Sequence, residues 1–215
     1  MSGESVKGIK FTRSDEELAQ PLLRPLYNDL IECEELLSRA DTQFARRTFV
    51  RASFAFIEGY IYWLKEEVFK WLINLELKKD FININITAIT LLQDAVFYPN
   101  KQGKIEQEPN RLPFLNFCAF VLRTAAEHWG MNPESMFSDN GWKELQLALK
   151  VRHRITHPKQ PQDLEIADVE LESVRESHRW LFNCVVDIVN TTIGVQEKEG
   201  RANVCPTETL KRFGI

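Results

Sequence analysis

Apolar residues recur three and four positions apart along most of the 215-residue chain, with turn formers between the periodic stretches, a pattern that predicts helices. Ser14 with Glu17 matches a capping box, and Pro21 and Pro25 then confine the first continuous helix to about 25–40. Asp41 or Thr42 caps a second helix over about 42–78, roughly 50 Å long at 1.5 Å per residue. Gly59 marks a bend or a close crossing in it. A shorter helical pattern covers about 87–95. Phe97, Tyr98 and Pro99 then face Ile105, Glu106 and Gln107 across Asn100–Gly103, which predicts an exposed hairpin or irregular loop near 97–109. Further helices follow at about 113–129, ended by Gly130, and from Asp139 or Asn140 onwards, with a short turn at Asn132 and Pro133 between them. Asp168 caps a last helix reaching about 197. The expected fold is an all-α bundle of one domain, 14–197, with the 97–109 insertion and a polar tail at 198–215.

The second helix departs from ordinary amphipathic patterning. Phe44, Phe49, Val50, Phe54, Phe56, Ile57, Tyr60, Ile61, Trp63, Leu64, Val68, Trp71 and Leu72 point nearly all round its axis, spaced as packing residues, so it has to be covered all round. A small domain can achieve that alone or with a second copy of itself. The expectation is a helical homodimer.

The helix beginning near Asn140 ends in Arg152, His153, Arg154, Ile155, Thr156 and His157, and Pro158 stops it. On a helical wheel Trp142, Leu145, Ala148, Leu149, Ile155 and Thr156 share one side, and Arg152 falls near the middle of that stripe. A guanidinium withdrawn from water without a partner is costly, so Arg152 needs a carboxylate, a phosphate or access to solvent. Glu58, within the largely apolar second helix, is the first carboxylate to consider. His157 points elsewhere, with Lys143, Gln146, Lys150, His153 and Arg154, about 140° from Arg152 on an ideal helix. The two converge through a distorted last turn, through a long arginine reaching round, or across a dimer axis.

Composition narrows the chemistry. A net charge of -4 does not suit a general nucleic-acid coat protein, yet Lys143, Lys150, Arg152, Arg154 and Lys159 face a single acid, Glu144, over that stretch, which suits a selected anion. The four cysteines form no CxxC pair, which suggests neither a disulfide scaffold nor a thiolate zinc site and fits a cytoplasmic protein. The N-terminus carries no apolar signal core, and no apolar run is long enough to span a bilayer, so no membrane role is expected. His153 and His157 stand four apart, but Arg154 replaces the glutamate a zincin requires; no metal and no cofactor is expected. His178 reads as a core histidine, His128 as a surface residue, and Cys118 and Cys184 as core. Arg46, Arg47 and Arg51 could follow an RNA backbone, although a solvated or acid-paired face is the simpler account.

Arg-x4-His at a helix end, within Val151-Arg-His-Arg-Ile-Thr-His-Pro158 of an all-helical chain, resembles the HEPN superfamily (higher eukaryote and prokaryote nucleotide-binding domains) over roughly residues 14 to 197. The resemblance implies a bundle of four to six helices that dimerises with its motifs facing. In many members this is a metal-independent endoribonuclease of toxin–antitoxin, phage-defence or RNA-processing systems, leaving 2',3'-cyclic phosphate and 5'-hydroxyl ends. Carried over, Arg152 would hold the scissile phosphate and His157 would be the general acid or base, with His153, Arg154, Lys150 and Lys159 as phosphate or RNA contacts. His153 stands where active members usually have a small polar residue, and Lys159 where some relatives carry a modifiable tyrosine. The alternatives are a catalytically inactive HEPN-like module that binds a nucleotide or a protein partner, such as an antitoxin or a larger defence component, and an assembly scaffold. For Arg152 itself the competing account is a buried Arg–Glu tie beside a solvated helix end.

Overall fold

The structure, a computed structural model, describes residues 23–77, 90–93 and 95–198. The capping box at Ser14, the 78–89 stretch and nearly all of the 198–215 tail lie outside the described residues. Among the described residues the elements follow in order: α1 (Leu23–Arg39), α2 (Gln43–Leu77), β1 (Ala95–Pro99), β2 (Ile105–Pro109), α3 (Phe114–His128), α4 (Glu134–Phe137), α5 (Asn140–Thr156) and α6 (Asp168–Lys198), and residues 90–92, within the helix expected at 87–95, are helical too. A 3-10 turn, Pro161–Leu164, joins α5 to α6. The architecture is predominantly helical, as the periodicity predicts.

α1 and α2 are joined through Ala40, Asp41 and Thr42, and the Thr42 hydroxyl caps α2 by accepting the Ala45 N–H at 3.1 Å. The two helices lie close where α2 carries Gly59: a Cβ there would collide with Leu26. Gly59 therefore marks a close crossing. α3 ends in a Schellman turn, with Met131 N–H on the Ala126 carbonyl at 2.9 Å and Gly130 at φ 73°.

Over its described side chains α2 is covered within one chain. It packs against α1, α3, α5 and α6, and Phe49, Val50, Ile57, Ile61 and Leu64 are fully buried. The argument for a homodimer from an all-round apolar α2 thus loses its premise, because α1 and the α5–α6 pair supply the cover. Phe44, at the helix start, is 64% exposed instead. α5 and α6 pack extensively on each other through Leu145, Ala148, Val151 and Ile155 on α5 and Val174, Leu181, Val185 and Ile188 on α6. Gly141 makes their close approach possible, since a Cβ there would overlap Trp180. The Trp180 indole donates to the Met136 carbonyl at 3.1 Å, fixing α4 across the same joint.

Two expectations need correction. Asp168 does not cap α6; it is the first helical residue, and its carboxylate pairs with Arg46 at 2.6 Å, while Glu170 reaches back to accept the Ala167 N–H at 3.0 Å. His128 is half-buried rather than on the surface, set edge-on to Trp129 with ring centroids 5.1 Å apart, and burial pushes its pKa down to about 4. The 97–109 insertion is a regular antiparallel hairpin with Phe97 opposite Gln107, and every β2 residue is exposed. His178, on the α6 stripe, packs half-buried against Phe49 with ring centroids 6.3 Å apart, and Cys118 and Cys184 are buried, as expected. No helix among the described residues is long and apolar enough to cross a membrane.

Candidate anion site at the end of α5

The motif lies in the last turn of α5, where the buried side of the helix is made by Leu145, Ala148, Leu149, Val151 and Ile155. Arg152 interrupts that side and finds the partner its burial demands. Its Nη2 lies 3.2 Å from Glu58 Oε1 on α2, and the two side chains stay 31% and 42% exposed. The pair is thus a half-solvated tie, one a phosphate can reach. Thr156, one turn on, is exposed and donates its hydroxyl back to the Arg152 carbonyl at 2.6 Å.

His157 leaves the helix. Its N–H still bonds the His153 carbonyl at 3.0 Å, but its backbone turns to φ -125°, ψ 59°. Arg152, His153, Arg154 and His157 all line one open depression of about 490 Å³ around this helix end, together with Lys159 and Asp163. Lys150 is exposed two residues before Arg152 and does not line it.

Arg154 is the least available cation. Its Nη2 donates to both oxygens of Glu170 at 2.8 Å, and because Glu170 also caps α6, this contact ties the motif to the next helix. Asp163 accepts the backbone N–H groups of Lys159 at 2.8 Å and Gln160 at 3.2 Å, and the first of these holds its carboxyl below the usual range. It brings one negative charge to a lining otherwise made of arginines, lysine and imidazoles.

The segment after the motif is clamped from α2. Gln43 exchanges two hydrogen bonds with the Ile166 backbone, at 2.8 and 3.2 Å. Arg46 donates to the Ile166 carbonyl at 2.7 Å while pairing with Asp41 and Asp168 at 2.6 Å, and Arg47 donates to the Leu164 carbonyl at 2.9 Å. Arg46 is therefore an acid-paired structural residue. Gln43, Asp163 and Glu170 were not singled out from the sequence, because each binds backbone of an aperiodic loop. The one available signal was the Ala167-x-x-Glu170 spacing ahead of an apolar run.

No group of three or more His, Cys, Asp or Glu side chains that could hold a metal occurs among the described residues. Comparison of the chain with protein-family models, with curated proteins and with solved structures found no match.

Proposed function

We propose that the protein is a metal-independent endoribonuclease of the HEPN kind, acting through Arg152 and His157. The observation that carries this reading is the convergence of two arginines, a lysine and two imidazoles in one open depression at a helix end. Arg152 binds a non-bridging oxygen of the scissile phosphate, exchanging part of its tie to Glu58 for a charge-assisted contact. An imidazole removes the proton of the ribose 2'-hydroxyl as its oxygen attacks phosphorus. A second imidazole gives a proton to the departing 5'-oxygen, leaving a 2',3'-cyclic phosphate and a 5'-hydroxyl. The cations stabilise the charge that builds on the phosphorane.

A composite homodimer site remains part of this proposal on chemical grounds. Two facing depressions place two His157 rings and two Arg152 guanidiniums round one phosphate. Toxin–antitoxin or phage-defence employment follows from the resemblance alone.

The second reading, a catalytically silent module that binds a nucleotide or protein partner, draws on Arg152–Glu58 and Arg154–Glu170, which neutralise two of the cations. RNA incubated with the pure protein in EDTA separates the two. Cleavage by the wild type that falls by about 100-fold or more in His157→Ala is the expected result. Binding without cleavage supports the silent module, and cleavage unchanged by the substitution sinks the enzyme proposal.

A further inference from the structure

The β1–β2 hairpin stays outside the core: no side chain from 96 to 109 is buried, and no third strand pairs with it among the described residues. Two strands on their own are marginal in water. The ladder sets Phe97 opposite Gln107 and Pro99 opposite Ile105 on one face, where Phe97 is 55% and Ile105 76% exposed, while Val96 and Tyr98 share the other face with Glu108 and Glu106. The Asn100 N–H bonds the Lys104 carbonyl at 2.8 Å, so the ladder bonds alternate back through Tyr98 and Val96, and the backbone of Phe97 turns outward with that of Ala95 and Pro99. Pro99 and Pro109, which have no N–H, both stand at such outward positions.

The two free edges differ in what they can pair with. A second β2 laid antiparallel about Gln107 would set Glu106 against Glu108 twice over, and like charges directly opposite one another repel. β1 carries no charge from 95 to 99. Laid antiparallel about Phe97, two β1 strands set Phe97 against Phe97 and Val96 against Tyr98, an aromatic and β-branched pair. They also gain about four backbone hydrogen bonds, with each Pro99 carbonyl accepting the Ala95 N–H of the other copy. A β1 edge added to a β2 edge would instead leave an open edge at each end and propagate without closing.

We infer that β1 is the joint between two copies of this chain, which pair about a twofold axis at Phe97 into one four-stranded antiparallel sheet. The two β2 strands then form the outer edges, where Glu106, Glu108 and Pro109 discourage further addition. Phe97, Pro99 and Ile105 of both copies make one continuous apolar face. No hairpin residue lines the depression at the end of α5, so the joint does not rest on the cleavage reading.

The test uses the full chain with Phe97→Cys. In the paired sheet the two Cα atoms at this position stand about 5.5 Å apart, within disulfide reach. Mild oxidation is expected to convert most of the Phe97→Cys protein into a covalent dimer, and little of the wild type or of Gln107→Cys, whose edge points away. Phe97 is exposed, so the variant keeps the wild-type melting temperature. Phe97→Lys, which sets two ammonium groups across the axis, is expected to halve the mass of the assembly in light scattering, whether or not copies also meet at the α5 motif. No covalent dimer from Phe97→Cys, equal cross-linking of Gln107→Cys, or a mass that Phe97→Lys leaves unchanged overturns the joint.

Discussion

Arg46 and Arg152 are both arginines set among apolar neighbours, and their partners give them opposite roles. Arg46 is 13% exposed and bound by two carboxylates and a carbonyl, so it anchors the loop behind the site. Arg46→Ala is expected to cost about 2 kcal/mol in denaturant unfolding, whereas Arg39→Ala, which breaks a pair 77% and 59% exposed, changes stability by less than about 0.5 kcal/mol. Arg152 has one half-solvated carboxylate, and that pairing was legible in the sequence because Glu58 breaks an apolar helix as Arg152 breaks an apolar stripe. Burial, assisted by the charges of Arg179 and Arg175, pushes the His178 pKa down to about 4 from its ordinary 6.5. The unfolded chain takes up that proton first, so this contribution to stability is complete above about pH 6.5 and is lost as pH falls towards 4, on the order of 3 kcal/mol in all. Unfolding at pH 7 and pH 5 should show the loss, and His178→Phe should remove roughly half of it, since His128 is depressed to about 4 in the same way.

Among the elements, the helices were legible where period and punctuation agree. α1 ends, α2 begins, and α3 and α5 begin and end within two residues of the positions that proline, glycine and capping residues indicate. The join from α5 to α6 was not legible, since Asp168 looks like a cap and only its distance from Arg46 reveals that the carboxylate serves another element. How the α5–α6 pair packs likewise depends on contacts that periodicity does not carry. Gly141 sits where the Trp180 side chain leaves its own backbone and cannot move aside. Gly141→Ala is expected to lower stability by roughly 2 kcal/mol, read from the denaturant midpoint, with α4 loosened because the Trp180 indole holds Met136.

At the scale of the whole molecule, the described part of α2 is covered by its own chain, so its apolar girth gives no argument for association and a shared site has to be justified by chemistry. That Arg152 and His157 line one depression could not be read from an ideal wheel, because His157 lies where the chain leaves helical geometry. If the working site is shared between two copies, an equal mixture of Arg152→Ala and His157→Ala proteins should recover cleavage that neither shows alone, as followed on a gel; no recovery means that each chain works by itself. The proposal as a whole turns on the ribose 2'-hydroxyl attacking a phosphate held at the end of α5. Mass spectrometry of the RNA ends released in EDTA tests that most directly. Cyclic phosphate and 5'-hydroxyl ends from the wild type, and none from His157→Ala, are the predicted result; 3'-hydroxyl and 5'-phosphate ends, or the same fragments from the variant, contradict it.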